Sequence, residues 1–307
     1  MRDMISIHDV LIICVNCYEN GDYFCCSGCS ESYHCDDGRS DDYDTYCESC
    51  WEDRSPISGY DYEPPLFFYH TVAEQGPRLL FFGVETEIEV DERRFSEPNA
   101  AEDFLHSDRH DFFYCMSDGT INHGFEVATH PFTWEWAKEH RDWWAPLFAM
   151  RNVGTSYANS TCGMHVHMSR KAFSKMHLLK FSNMLFDNPG FVLRISRRHA
   201  DRLEKYACVQ APTDLFNLVK GGVSGSHHAI NFSFKGTIEC RIFQGTLNPR
   251  GYWANLEFLV ALYNYTKEAS FQDVTPANFT GWAKERAKEY PLLLDVLFSR
   301  VPSVSQR

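Results

Sequence analysis

No apolar run in this 307-residue chain approaches the roughly 18 residues that a bilayer-crossing helix needs. The opening stretch, MRDMISIHDVLIICVNC, sets an acid beside its only arginine and lacks a small-residue cleavage site, so it does not read as a secretory signal. A Gly-rich phosphate loop of the Walker type is also missing, so any nucleotide phosphates would be held by other means. Internal repeats are absent. Basic residues are scarce at one end: residues 1–66 hold 15 Asp and Glu against 3 Lys and Arg, which places −12 of the net −13 there. That stretch repels nucleic acid and favours a basic peptide or protein as partner. The remainder is nearly neutral. With 44% hydrophobic and 15% aromatic residues, the chain has enough apolar material for a large domain plus a small one, which excludes general disorder. The expectation is a soluble, cytoplasmic protein that makes no membrane contact.

Cysteine is concentrated rather than scarce. Eight of the twelve fall within the first fifty residues, and CVNCYENGDYFCCSGCSESYHCDDGRSDDYDTYCESCWED contains three C-x-x-C pairs. A C-x-x-C turn presents two thiolates from one tight knuckle, and zinc takes four thiolate or imidazole ligands in a tetrahedron. In a chain without a secretory signal this spacing points to zinc rather than to disulfides. The candidate ligands are Cys14, Cys17, Cys26, Cys29, His34, Cys35, Cys47 and Cys50, enough for two closed Zn²⁺ sites whose pairing the spacing leaves open. Cys26 is preferred over Cys25 because it keeps the C-x-x-C spacing. Some fifty residues cannot build an adequate core alone, so the metal would supply folding energy. The spacing resembles the cross-braced, RING- or ZZ-like treble-clef modules. The expected domains are a zinc module over 1–54, a linker over 55–66 carrying Pro56, Gly59, Pro64 and Pro65, and a main domain over 67–307.

Strands and helices alternate in the main domain. Strands are expected over 79–90, 111–116 and 124–129, with a helix between the first two near 97–108. TWEWAKEHRDWWAPLFAM reads as one amphipathic helix, helical patterns run from about 172 to 206, and YWANLEFLVALYNYTKEA is the clearest helix of all. CGMHVHMS and TIECRIF complete the strands.

Three of those strands share one design. Alternation puts Glu85, Glu87 and Glu89 on one face of LLFFGVETEIEV and Val84, Thr86, Ile88 and Val90 on the other. His165 and His167 share a face of GMHVHM, and Glu239 and Arg241 a face of TIECRIF. Same-face neighbours lie about 6.6 Å apart, so each carboxylate pair repels by roughly 2.5 kcal/mol at an effective dielectric near 20. Either these faces are solvated or cations sit on them. Solvated faces need no imidazoles, and recurrence on three strands favours hard divalent cations held by carboxylate oxygens. SDGTINHGFEVATHP adds Asp118 beside a turn and Glu126 between Phe125 and Val127.

FGVETEIEV, SDGTINHGFEVATHP, CGMHVHMS and GTIECRIFQGTL, in that order, resemble the amidoligase family of carboxylate–amine ligases, relatives of glutamine synthetase and glutamate–cysteine ligase, over roughly residues 79 to 270. The resemblance implies an α+β, glutamine-synthetase-like domain, a curved and mainly antiparallel sheet with flanking helices. It implies ATP-dependent amide formation through an acyl phosphate, from an amino acid, peptide or protein carboxylate and an amine. It further implies two Mg²⁺ ions held by Glu85, Glu87, Glu126, His165 and Glu239, with His165 and His167 near metal or nucleotide phosphate. Arg241 would be a phosphate-binding cation, and Asp118 or Glu126 would accept the amine's proton. The family's Arg-and-Tyr motif is matched at looser spacing by Arg197, Arg198 and Tyr206, which puts Arg198 among the nucleotide-binding residues. Glu89 keeps a solvated or supporting role. Two other readings stay open: a mononuclear metal hydrolase or oxygenase on His165, His167 and Glu239 with His227 or His228, and a non-enzymatic adaptor recruited through the zinc module.

Overall fold

The computed structural model describes residues 4–7, 11–14, 23–40, 44–59, 62, 64–157, 161–222 and 227–298, with the backbone alone over 4–7, 11–14 and 52–54. The chain divides into two compact units, Met1–Ser58 and Gly59–Arg307. Among the described residues no helix is long and apolar enough to cross a membrane.

The first unit is built from short antiparallel hairpins. Met4–Ile7 pairs with Leu11–Cys14, Tyr23–Cys25 with Ser32–His34, and Gly38–Ser40 with Thr45–Cys47, which leads into the helix Glu48–Arg54. Its buried hydrophobic centre is Cys26, Tyr46 and Cys47, with Phe24, Tyr33, Cys50 and Trp51 packed around them. Among the described residues, two of the three buried hydrophobic residues are cysteines.

The second unit is α+β around one antiparallel sheet. Its main strands are β1 (Phe81–Val90), β2 (Phe113–Met116), β3 (Gly124–Thr129), β4 (Gly163–Ser169) and β5 (Thr237–Gln244). From the short strand Ile230–Asn231 they lie in the order β5, β4, β1, β3, β2. Phe132–Thr133 and Gly154–Thr155 pair with the two ends of β1. The alternation read from the sequence is kept in β1 and β4, while β5 shifts its register on β4 between Cys240 and Phe243. Phe82, Val84, Ile88 and Val90 are buried with Met164, Val166 and Met168 of β4 and Ile238, Cys240 and Ile242 of β5. Helix α1 (Pro249–Glu268) covers this apolar face, and its Asn255 amide donates to Met164 Sδ at 3.2 Å. Asn248 caps α1 by accepting from the Arg250 N–H at 2.9 Å, and Pro249 starts it where no backbone donor is needed. Fifteen of its twenty residues are buried, so α1 is a core helix rather than an amphipathic one.

The expected single helix over residues 133–150 is a correction. The chain forms Trp134–Glu139, a 3₁₀ stretch Arg141–Trp144 and a short helix Ala145–Ala149. Pro146 has no N–H to continue an α-helical ladder, so it opens a new turn. The His140 N–H and ring Nδ1 both meet the Trp136 carbonyl, closing the preceding helix.

Glu257 of α1 is 1% exposed and accepts from the backbone N–H groups of Leu292 and Leu293, at 2.8 and 2.9 Å, where the helix Pro291–Phe298 begins. Glu257→Ala should therefore lower stability by about 2 kcal/mol by orphaning two donors. A urea midpoint unchanged by the substitution would show that this clasp contributes nothing.

Candidate functional site

Sheet register delivers the polar residues to one face. In the pairing of β1 with β4, Glu85 lies opposite His165; with β3, Glu87 lies opposite Glu126; and His167 of β4 lies opposite Glu239 of β5. Directly opposed side chains sit about 5 Å apart. The three strands singled out by alternation are therefore adjacent, and they face the same way.

The groups converge on His165, which is 4% exposed. Its Nδ1 lies 3.6 Å from Glu85 Oε2 and 3.4 Å from Glu239 Oε1, and its Nε2 lies 3.6 Å from Glu87 Oε1. His167 Nε2 is 2.8 Å from Glu85 Oε1. Three sets of ligand atoms fall within 4.8 Å of one another: Glu85, Glu126 and His165; Glu85, His167 and Glu239; and Glu87, Asp118 and Glu126. Asp118 joins from the turn before β3, where its Oδ1 accepts from the Thr120 N–H at 2.7 Å.

Burial removes the solvated-face alternative. Glu87, Glu126 and Glu239 are 4%, 6% and 1% exposed. Burial and the surrounding Glu85, Glu87, Asp118 and Glu239 carboxylates raise the Glu126 pKa well above the usual carboxylate range. Burial also opposes ionisation of Glu85, but His167 and His165 outweigh it and hold its pKa below that range. The same pairing, against burial, lifts His167 to about 9. Among protein groups alone, the shifts of Glu126 and His167 both run in the direction that lessens the negative charge on this face. A donor set rich in carboxylates with one or two imidazoles fits hard divalent cations, which would do that work without protons.

Cations of the protein stand at the border. Arg241 Nη1 bonds Glu239 Oε1 at 2.5 Å, and its buried Nε has no hydrogen-bond partner among the described residues. Arg198 is 6% exposed, donates from Nε to the Phe243 carbonyl at 2.9 Å, and has its pKa lowered to about 10 by burial despite Glu87. Its guanidinium lies 6.0 Å from the Tyr206 ring, while Arg197 of the same motif turns to Gly251 and Asn255. Gly163 makes this placement of Arg198 possible. A Cβ there would stand 2.3 Å from Arg198 Nη2 and 3.0 Å from His165 Nε2, while its N–H donates to Glu87 Oε2 at 2.5 Å.

Other residues fall elsewhere. Glu89 lies outside the three sets and accepts from Thr161 Oγ1 at 2.9 Å. Among the described residues His227 and His228 join none of the sets, and no set contains His165 and His167 together. Two contributors escaped the sequence reading. Asn231 donates to Glu239 Oε2 at 2.7 Å, and Tyr114, its pKa raised by burial and by Glu85 and Glu126, borders the carboxylates. Asn231 sits on a two-residue strand too short to carry a periodic signal.

In the first unit, Cys26, Cys29, Cys47 and Cys50 place their sulfurs within 4.8 Å of one another. Cys29 Sγ and Cys47 Sγ are 4.0 Å apart, close to the roughly 3.8 Å expected for tetrahedral Zn–S bonds of about 2.3 Å. The N–H groups of Gly28 and Cys47 donate to Cys26 Sγ at 3.3 and 3.2 Å. With the Cys29 backbone they overcome burial and lower the Cys26 pKa to about 6. Cys50 is pushed up to about 12 by the Cys47 sulfur and by burial, because a second thiolate so close is unfavourable without a cation. Gly28 is required in this knuckle, since a Cβ would stand 2.7 Å from Cys50 Cβ. The second and third C-x-x-C pairs thus share one four-cysteine group that could hold zinc. His34 and Cys35 lie outside this group, and His34 Nδ1 accepts from the Asp36 N–H at 3.2 Å. The Cys14 side chain and Cys17 lie outside the described residues.

The chain matches no protein-family model and no curated protein.

Glu85→Gln removes the partner that raises His167, so in metal-free protein the His167 pKa should fall from about 9 toward the ordinary imidazole value near 6.5. Because the folded value lies above the unfolded one, the pair stabilises the fold fully below the unfolded value and fades as pH rises through about 9. NMR titration of the imidazole carbons reads this directly, and a His167 pKa that stays put would break the assignment of its partner.

Proposed function

We propose that the second unit is an ATP- and Mg²⁺-dependent carboxylate–amine ligase. The observation that carries this reading is the convergence of Glu85, Glu87, Glu126, His165 and Glu239 from β1, β3, β4 and β5 beside two arginines. The order of the four sequence motifs that resemble amidoligases supports it.

In this reading Glu85, Glu87, Glu126, His165 and Glu239 hold two Mg²⁺ ions. Bound magnesium would neutralise negative charge on the phosphates in transfer. Carboxylates do not acylate amines at neutral pH, so the substrate acid first takes the terminal phosphoryl group of ATP, with ADP leaving. Arg241 offers its unpartnered Nε and a fork of donors to that group, which suits bidentate phosphate contact. His167 and Arg198 line the nucleotide phosphates. The amine then attacks the acyl carbon, phosphate leaves, and Asp118, partly exposed at its turn, accepts the amine's proton. Glu126, buried among carboxylates, is better placed to orient metal than to exchange protons with solvent.

For the first unit we infer a structural Zn²⁺ on Cys26, Cys29, Cys47 and Cys50. The succession of knuckle, hairpin and helix carrying Cys50 supports a treble-clef arrangement. The acidity of residues 1–66 supports delivery of a basic peptide or protein to the ligase unit.

Two measurements test these assignments. Incubation with Mg·ATP and pooled amino acids should yield ADP and dehydrated conjugates by mass, and Glu85→Ala should reduce ADP release at least a hundredfold with the far-UV CD spectrum unchanged. Wild-type turnover by that variant would remove the metal role. Cys47→Ser should lose the zinc of this group in elemental analysis; full retention of zinc would reject the four-cysteine site.

A further inference from the structure

A second cavity, of about 660 Å³, has the opposite charge to the carboxylate face. Arg151, Arg197 and Arg250 line it with one acid, Asp295, which already pairs with Arg250. Leu247 and Leu292 add apolar wall.

Its position follows from two consecutive arginines. Helix α2 (Pro189–Ser196) ends at Arg197 in the left-handed conformation, with φ of 59°. The chain there sends Arg198 toward Gly163 and the carboxylates. Arg197 goes to the helix side, where its Nη2 donates to the Gly251 carbonyl at 3.0 Å and to Asn255 Oδ1 at 2.5 Å. The same Asn255 touches Met164 on the apolar face of the sheet, and none of the carboxylate-face groups lines the cavity.

Three features point to an anion. Arg197 is anchored from α1, yet its buried Nε has no hydrogen-bond partner among the described residues. The guanidinium groups outnumber the carboxylate three to one. The first turn of α1, a twenty-residue helix, opens at Asn248 and Arg250 on the same cavity and adds the positive end of its dipole.

We propose that this cavity binds a small molecule through a phosphate group, held by Arg197, Arg250 and the start of α1, with the remaining volume taken by its organic body. Arginine forks match tetrahedral phosphate oxygens bidentately, and a volume in this range suits a small organic ligand.

Inorganic pyrophosphate, titrated calorimetrically into the full chain without added divalent metal, probes the phosphate contact. Omitting metal keeps the carboxylate face repulsive to the probe. Saturable binding with one site per chain is expected, weakened at least tenfold by Arg197→Gln and by Arg250→Gln. Arg250 is exposed at the cavity rim, so its substitution tests the contact even where the Arg197 variant loses stability. Absence of saturable binding, or binding at wild-type strength in both folded variants, would overturn the proposal. So would saturable binding of malonate with none of pyrophosphate, since the cavity would then select carboxylates.

Discussion

Like charges that cannot reach water must be matched or neutralised, and the sheet of the second unit is organised by that constraint. Glu87, Glu126 and Glu239 are almost wholly buried, and Glu85 and His165 stand within hydrogen-bonding reach of the same space. Packing on the opposite face fixes this. Val84, Thr86 and Ile88 cannot leave the core without moving the whole of β1, and each inward residue fixes the outward direction of its neighbours. The apolar face thus sets the stability, and the polar face inherits its precision. Bound cations would relieve that charge directly, in keeping with the upward pKa displacements of Glu126 and His167.

The first unit meets the same constraint with sulfur. Four thiols gathered around one point cannot all ionise unless a metal is present, and the opposite pKa displacements of Cys26 and Cys50 express that conflict. Among the described residues its buried hydrophobic core is Cys26, Tyr46 and Cys47, so the metal-binding thiols and the core largely coincide. Soft thiolates in one unit and hard carboxylates in the other would select different metals from the same solution.

Much of this was legible because strand alternation is a strong local signal. β1, β4 and β5 carry apolar residues at every second position, and their polar partners therefore had to share a face. Adjacency of those strands was not readable from periodicity, since it depends on pairing across more than seventy residues, and it entered through the resemblance of the four motifs. Asn231 was missed because two residues have no period. The 134–149 region misled for a different reason: its aromatic spacing is helical on both sides of Pro146, and the pattern does not record the break. In the first unit, C-x-x-C spacing revealed the knuckles, while the sharing of one group by Cys26, Cys29, Cys47 and Cys50 needed the fold.

Anomalous X-ray scattering from crystals of the full chain soaked in Mn²⁺, which shares the oxygen preference of Mg²⁺, tests the central claim most directly. Manganese peaks are expected on the carboxylate face, bounded by Glu85, Glu87, Glu126, His165 and Glu239. A fully soaked crystal with no peak among those side chains would contradict the account.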